Sequence, residues 1–272
     1  MSTYVFNQAW QKEQARLSAL ESLFDLASRR IVSDLGVGPG WRCLEVGCGA
    51  GSVALWLAAQ VGEAGHVLAT DLDTRFLDGH GRANLEVRTH NIVTDPIDEA
   101  AFDLIHARAV LVHLPDRDQV LKKLVAALRP GGWLLIEDVD FGGATASVLG
   151  HYVAGPPSQQ AAMERLYRAV AAVFTAIGAD PVYGSRLTGA LAEAGLTHVS
   201  AELHAPVVSG GSEQWVRGSA EQLADRLVAT GLTTAQDLEW FLEASAKPGI
   251  YYLPPLMVSA WGQRDRHQGT TS

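Results

Sequence analysis

The stretch LEVGCGAGSVALWLAAQVG, residues 44–62, holds the residues best suited to approach a ligand. An apolar run includes the carboxylate Glu45, and an apolar helical pattern follows the turn. Between them, three glycines stand at alternate positions: Gly47, Gly49 and Gly51. Small residues at a strand-to-helix turn let the backbone come close to a ligand at the edge of a sheet. The spacing is G-x-G-x-G, which disfavours a hydride-transferring oxidoreductase, whose fingerprint is G-x-G-x-x-G.

A second carboxylate, Asp71, closes the next apolar run, twenty residues after Gly51. A carboxylate at this position can accept hydrogen bonds from both ribose hydroxyls of a nucleoside. The glycines alone would also fit a tight structural turn. Joined to Asp71, they predict an adenosine site.

Three further polar residues follow later predicted strands and could take part in proton transfer. His113, in VLVHLPD, is a candidate general base, or else ties its loop to the helix that begins at Asp116. Asp138 and Asp140, in IEDVDF, could deprotonate a substrate or bind a cation, or be solvated or capping groups. No further metal ligands are identifiable, so we predict no metal.

Strands and helices alternate from residue 41 onward, which predicts a parallel sheet with helices on both faces. A helical segment over residues 7–35 precedes it, and helices are expected from Ser52, near Phe76 and from Asp116 to Leu128. The predicted strands are WRCLEVG, HVLATDLD, NLEVRTHN, FDLIHAR and WLLIEDVDF.

The remainder of the chain changes character after Phe141. One helix face is predicted from the spacing of Met163, Leu166, Tyr167, Val170, Phe174 and Ile177, and a second helix from Ser185 to Ala194. Strands are expected over residues 198–208 and 251–264, paired as an antiparallel hairpin. Between them, S-x-x-Q at Ser219 and T-x-x-Q at Thr233 predict the starts of two helices.

Composition limits the function classes. The chain has 272 residues and a net charge of −9, which argues against binding to nucleic acid or to an anionic membrane. The N-terminus lacks a signal-peptide pattern, and no apolar run approaches the roughly 20 residues needed to cross a bilayer. We expect a soluble, cytoplasmic protein with free thiols at Cys43 and Cys48, a small-molecule partner, and a homodimer as an open alternative.

Five segments are predicted: a helical cap (1–40), a ligand-binding core (41–141), a helical lid (142–183), the end of the sheet with its helical insertion (184–266) and a loose tail (267–272).

The successive motifs LEVGCGAGSVA, ATDLD, THNIVTDP, FDLIHARAVLVHLPD and LRPGGWLLIED resemble, in order and spacing, those of class I S-adenosylmethionine-dependent methyltransferases. The resemblance implies an α/β, Rossmann-like, doubly wound seven-stranded sheet, mostly parallel with a reversed last strand. It also implies S-adenosylmethionine as cofactor and methyl transfer as the reaction.

The resemblance assigns cofactor roles to matching positions. It puts the loop Gly47–Gly51 under the methionine moiety, Glu45 near its amino group, and Arg108 beside it. Asp71 would hold the ribose, and Leu72 would flank the adenine. Asn91 replaces the usual Asp as acceptor of the adenine amino group, which removes a charge-assisted hydrogen bond, and Ile92 offers its backbone N–H.

The acceptor is predicted to be a small aromatic or hydrophobic metabolite methylated at carbon, nitrogen or oxygen. Aromatic residues outside the sheet motifs suggest such walls, although Tyr167 and Phe174 would equally suit a lid core. Tyr4 is a candidate to close over the cofactor. A weak resemblance links the N-terminus and insertion to natural-product methyltransferases, including indole C-methyltransferases. The alternative is a non-methylating protein that binds or rearranges a ligand on the same fold.

Overall fold

The computed structural model describes residues 6–7, 9–141, 157–212 and 215–266. Within them, seven strands form one sheet in the order β3-β2-β1-β4-β5-β9-β6. The sheet strands are β1 (Arg42–Val46), β2 (His66–Asp71), β3 (Leu85–Thr89), β4 (Phe102–Arg108), β5 (Leu128–Asp140), β6 (Thr197–His204) and β9 (Leu256–Gln263); β7 (Val208–Ser209) and β8 (Tyr251–Tyr252) form a separate ribbon.

Strand β9 alone runs against its neighbours in this sheet, because it pairs antiparallel with both β5 and β6, whereas β1 to β5 pair in parallel. This confirms the predicted α/β sheet with a reversed last strand. The described helices are α1 (Glu13–Asp34), α2 (Ser52–Val61), α3 (Arg117–Ala127), α4 (Pro157–Ala176), α5 (Leu187–Glu193), α6 (Trp215–Ala229) and α7 (Ala235–Ser245).

Helices cover both faces of the sheet. Helices α1 and α2 pack on one face around Ile31, Leu57 and Leu104, and α3 and α5 pack on the other around Leu124 and Leu187. A third apolar cluster joins α1, α4, α6 and α7. Helix α4 carries the predicted buried face, since Met163, Leu166, Tyr167 and Phe174 are all buried.

Several predicted boundaries were wrong, and prolines account for two of them. The predicted strand 251–264 divides at Pro254 and Pro255, and the predicted strand 198–208 divides at Pro206, since proline cannot donate a ladder hydrogen bond. Strand β5 begins at Leu128 rather than Trp133, where Leu128 pairs with Phe102.

Two helix starts also differ from the prediction. Helix α6 begins at Trp215 rather than Ser219. Helix α7 has a capping box one residue later than predicted: Thr234 accepts from the Asp237 N–H, and the Asp237 carboxylate accepts from the Thr234 N–H. Asp237 also pairs with Arg165 of α4, which favours this register because it links the two helices.

Both cysteines are buried free thiols, as predicted. No helix in the described part of the chain is long and apolar enough to cross a membrane. The predicted tail 267–272 and Tyr4 lie outside the described residues.

Candidate functional site

The glycine loop leaves β1 and turns sharply into α2. Gly47, Gly49 and Gly51 have φ angles of 69°, 55° and 95°, a region that residues with a Cβ avoid. A Cβ on Gly47 would lie 2.4 Å from a methyl of Val110, and one on Gly51 would lie 2.2 Å from a methyl of Leu77. At Gly49 the nearest atom would be 3.6 Å away. The loop is therefore tightly packed at Gly47 and Gly51 and in ordinary contact with Leu17 at Gly49.

Asp71, at the end of β2, holds this loop in place. Its Oδ2 accepts a hydrogen bond from the Gly49 N–H at 2.9 Å, and its Oδ1 accepts one from the Asp73 N–H at 3.1 Å. Burial raises the pKa of Asp71, while these backbone donors oppose the shift. Beside it, the apolar side chain of Leu72 is 44% exposed. A carboxylate next to an uncovered apolar surface suits a ribose followed by a flat base.

The loop after β3 is fixed by its own polar groups. The Asn91 N–H donates to Asp95, and the Asn91 side-chain oxygen accepts from the Val93 N–H at 3.0 Å. The Lys123 ammonium donates to three backbone carbonyls of this loop, including that of Ile92 at 2.7 Å. The amide oxygen of Asn91 thus keeps one lone pair for a ligand N–H.

A row of polar side chains, here called the polar stripe, crosses the buried sheet face under α1: Glu45 on β1, His106 on β4, Glu137 on β5 and Ser259 on β9. His106 lies between the two carboxylates, with Nδ1 2.7 Å from Glu45 Oε2 and Nε2 2.8 Å from Glu137 Oε2. Glu137 also accepts hydrogen bonds from Ser259 and from Ser28 of α1.

The charges of the polar stripe shift one another's protonation. Burial lowers the pKa of His106, but the two carboxylates outweigh it and raise that pKa to about 9. Burial raises the pKa of Glu137, but His106 and Arg108 outweigh it and lower that pKa to about 2. For Glu45, burial dominates and raises the pKa. At neutral pH His106 is therefore a buried cation paired with Glu137 and Glu45.

Arg108 extends this network to the helices. It donates to Ser28 at 2.9 Å and to Asp25 at 2.8 Å, both on α1. Asp25 in turn accepts from the Ser52 hydroxyl at the first turn of α2, at 2.9 Å. Helix α1 is thereby attached to the sheet and to the glycine loop by charged groups, next to the predicted ligand.

Beyond the strand ends, aromatic side chains from the helices gather around His113. The His113 ring is 5.1 Å from that of Phe174 and 6.2 Å from that of Phe6, between centroids. Phe141 contacts both Phe174 and Tyr167. The Tyr167 hydroxyl donates to the Leu253 carbonyl at 2.8 Å, so its polar tip is directed away from the ring cluster.

One ion pair is buried among these rings. Arg16 donates to Glu13 through Nε at 2.9 Å and through a terminal nitrogen at 2.6 Å, and both side chains are about 97% buried. The guanidinium also lies 4.0 Å from the centre of the Phe6 ring. Burial lowers the pKa of His113 to about 3, with the charge of Arg16 contributing. His113 is therefore neutral at physiological pH and a weak base.

One cavity of about 640 Å³ joins these regions. Its polar end is formed by Glu45, Gly47, Gly49, Asp71, Leu72, Asn91, Ile92 and Arg108. Its aromatic end is formed by Phe6, Glu13, Arg16, His113, Phe141, Tyr167, Phe174 and Trp215. This volume is within the range of small-molecule and cofactor pockets.

Three predicted site residues, Gly51, Asp138 and Asp140, are not among those that line the cavity. Gly51 lies behind the loop against Leu77, where it shapes the turn. Asp138 is fully buried; its Oδ2 accepts from the Val112 N–H at 3.2 Å, and its Oδ1 has no hydrogen-bond partner among the described residues. Burial raises the pKa of Asp138 well above its usual value. This placement favours a neutral carboxylic acid that holds the loop before His113, and does not support the predicted catalytic role.

Sequence reasoning missed His106, Glu137 and Arg16. The signal for the first two was their polarity inside strands that are otherwise apolar, since buried charged residues need partners. Among the described residues, no group of three or more His, Cys, Asp or Glu side chains is arranged to hold a metal ion.

The chain is similar to a known protein family, to curated relatives and to solved structures. Residues 44–134 match the family model described as a methyltransferase domain. Methyltransferase str2 of Strobilurus tenacellus is 35% identical over 133 residues, which are 47% of this chain and 46% of str2. The chain thus spans about half the length of the curated relative it matches.

Two solved structures share the fold. Phosphoethanolamine N-methyltransferase 2 of Haemonchus contortus, in complex with S-adenosylhomocysteine, matches with a TM-score of 0.59 and 16% identity over 97% of this chain and 60% of its own. The [4+2]-cyclase SpnF matches with a TM-score of 0.53 and 17% identity over 90% of this chain and 80% of its own.

Proposed function

We propose that this chain is a class I S-adenosylmethionine-dependent methyltransferase, as its match to a methyltransferase domain supports, and that it transfers the methyl group of that cofactor to a small hydrophobic or aromatic acceptor. The observation that carries the proposal is one continuous cavity, in which a polar end suited to a nucleoside leads into an aromatic end. A natural-product metabolite is the proposed class of acceptor.

The residues of the polar end support the cofactor's fit. Asp71 offers a partly buried carboxylate to the ribose, Leu72 offers an uncovered apolar surface to the adenine, and the absence of a side chain at Gly49 gives room to the methionine portion. When bound, S-adenosylmethionine supplies an electrophilic methyl group on a sulfonium. The protein then needs chiefly to hold the acceptor in line at near-attack distance.

The aromatic end would provide that alignment. Phe174, Phe141 and Tyr167 form walls that exclude water and orient a flat acceptor. His113, neutral at pH 7, would contact the acceptor through its ring and accept a hydrogen bond better than it would remove a proton. Orientation, rather than strong base catalysis, is the proposed source of rate enhancement.

Two measurements test the proposal. S-adenosylhomocysteine should raise the melting temperature, and NADH at equal concentration should not, because only a ligand of the native state stabilises it. Incubation with S-adenosylmethionine and a panel of aromatic and aliphatic metabolites should give a methylated product and an equal amount of S-adenosylhomocysteine by mass spectrometry. Stabilisation by NADH alone would contradict the proposal.

A second candidate is a non-methylating protein that rearranges a ligand in the same cavity. Two observations support this second candidate: the fold is similar to that of the [4+2]-cyclase SpnF, and His113 is a weak base. A product isomeric with its substrate, formed without consumption of S-adenosylmethionine, would select this candidate.

A further inference from the structure

The polar stripe lies directly beneath the polar end of the cavity, and Glu45 belongs to both. One oxygen of Glu45 is bound by His106 at 2.7 Å, and the side chain also lines the cavity. We infer, resting on the proposed function, that His106 is a positioning residue: clamped between Glu45 and Glu137, it fixes the Glu45 carboxylate against the cationic amino group of the cofactor's methionine portion.

The geometry leaves His106 little freedom. Its ring is fully buried, and each ring nitrogen has a carboxylate partner within 2.8 Å. Both nitrogens can donate only if the ring is protonated, since a neutral imidazole has one donor and one acceptor. A neutral ring would turn one lone pair toward a carboxylate. The arrangement therefore favours the imidazolium.

The surroundings hold Glu137 ionised and leave Glu45 to face the ligand. Glu137 accepts from Ser28, Ser259 and His106, so its oxygens are occupied inside the protein. Glu45 accepts from His106 through Oε2, and its side chain lines the cavity. Burial raises the pKa of Glu45, and an ammonium group brought to the cavity wall would favour its charged form.

The charged groups around His106 come from each packed element. Glu45 lies on β1, Glu137 on β5, and Asp25 on α1 next to Arg108 of β4. Without the imidazolium, two carboxylates would share a buried region with Arg108 as the nearby cation. One carboxylate would then gain a proton. Because burial already raises the pKa of Glu45, Glu45 would be the one protonated and would lose its attraction for an ammonium group.

The experiment compares two ligands that differ only at the group in question. S-adenosylhomocysteine carries the amino-acid portion, and 5′-methylthioadenosine lacks it. In His106→Gln, calorimetry at pH 7.5 should show affinity for S-adenosylhomocysteine lowered about tenfold or more, and affinity for 5′-methylthioadenosine changed less than twofold. Glu45→Gln should give the same pattern, and the double variant should lose no more than either single variant.

The matched control is His66→Gln. His66 on β2 also faces a glutamate, Glu86 at 3.5 Å, but both side chains are partly exposed and lie outside the cavity. The affinity of His66→Gln for each ligand should equal that of the parent protein. Equal weakening of both ligands in His106→Gln would overturn the inference, because it would indicate a general structural defect.

A second measurement requires no ligand. Imidazole ¹⁵N NMR of the free protein, with the His106 signal assigned from its loss in His106→Gln, should show a protonated ring at pH 7.5 and a pKa near 9. If His106→Gln does not fold, Glu45→Gln serves instead and should lower the pKa of His106. A neutral His106 ring at pH 7.5 would contradict the inference. Failure of the parent protein to bind either ligand would contradict the proposed function and leave the NMR result to decide this one.

Discussion

The two ends of the cavity are built in different ways. The polar end is made by loops that leave parallel strands, and hydrogen bonds from backbone N–H groups to carboxylates and carbonyls fix its shape. The aromatic end is made by α1, α4 and α6 and by the turn around His113, and side-chain packing fixes its shape. The sheet therefore determines which ligand groups the polar end can bind. At the aromatic end, ligand recognition depends on which helices cover the cavity.

This difference predicts that substitutions at the polar end change cofactor affinity and those at the aromatic end change acceptor turnover. The largest effect is expected for Gly49→Val. Gly49 has a φ of 55°, which strains a β-branched residue, and the added methyl groups would enter the cavity. The affinity for S-adenosylhomocysteine should therefore fall by about 100-fold or more.

Gly62→Val is the control for backbone strain, because Gly62 has a φ of 64° and open space around it. Both variants should lose roughly 1–3 kcal/mol of stability from the strained backbone. Only Gly49→Val should lose affinity in calorimetry. Equal affinities in the two variants would mean that the loop does not contact the cofactor.

A smaller effect is expected for Asp71→Asn. A hydrogen bond to a charged group contributes about 1.5–3 kcal/mol, so affinity for S-adenosylhomocysteine should fall roughly 10- to 150-fold. Asp103→Asn is its control, because Asp103 also accepts a backbone N–H, that of Arg42 at 2.7 Å, outside the cavity. An Asp71→Asn affinity within twofold of the parent would exclude Asp71 as the ribose ligand.

At the aromatic end, Phe174→Leu should lower kcat/KM for the acceptor about tenfold while affinity for S-adenosylhomocysteine stays within twofold. The expected loss follows from removing part of one wall of an apolar pocket. Phe241→Leu is the control: Phe241 is fully buried against Tyr252 and does not line the cavity. Steady-state kinetics with both variants checks this prediction. A Phe174→Leu variant that loses affinity for the cofactor, rather than kcat/KM for the acceptor, would contradict the comparison.

The smallest effect is expected from the protonation of His113. Its pKa of about 3 keeps it neutral above that pH, so His113→Gln should remove no inflection from the rate profile between about pH 6 and 8. If His113 were a general base of ordinary pKa, its loss would cost roughly 10²–10⁴ in rate. An inflection near pH 6.5 that disappears in His113→Gln would support that alternative.

The same contrast explains what the sequence could predict. The polar end depends on residues close together in sequence, because the turn at Gly47–Gly51 and the carboxylate of Asp71 carry their own geometric requirements. The reversed strand β9 was implied by the family resemblance, and two late predicted strands separated by helices agreed with it.

Contacts between distant segments could not be read in this way. The pairing of His106 with Glu45 and Glu137 requires the order β1-β4-β5, which a sequence pattern does not specify residue by residue. The start of α7 was predicted at Thr233, whereas the structure has Thr234 as the capping residue, a register favoured by the contact of Asp237 with Arg165 of α4. The burial of Arg16 likewise depends on α6 packing against α1.

The most direct test of the proposed cofactor site is a crystal structure of the protein with S-adenosylhomocysteine. We expect the ribose hydroxyls to bind Asp71, the adenine to pack against Leu72, the amino group to lie beside Glu45 and the sulfur to face the aromatic end of the cavity. Ligand bound with its sulfur turned away from Phe174 and His113, or bound outside the cavity, would contradict it.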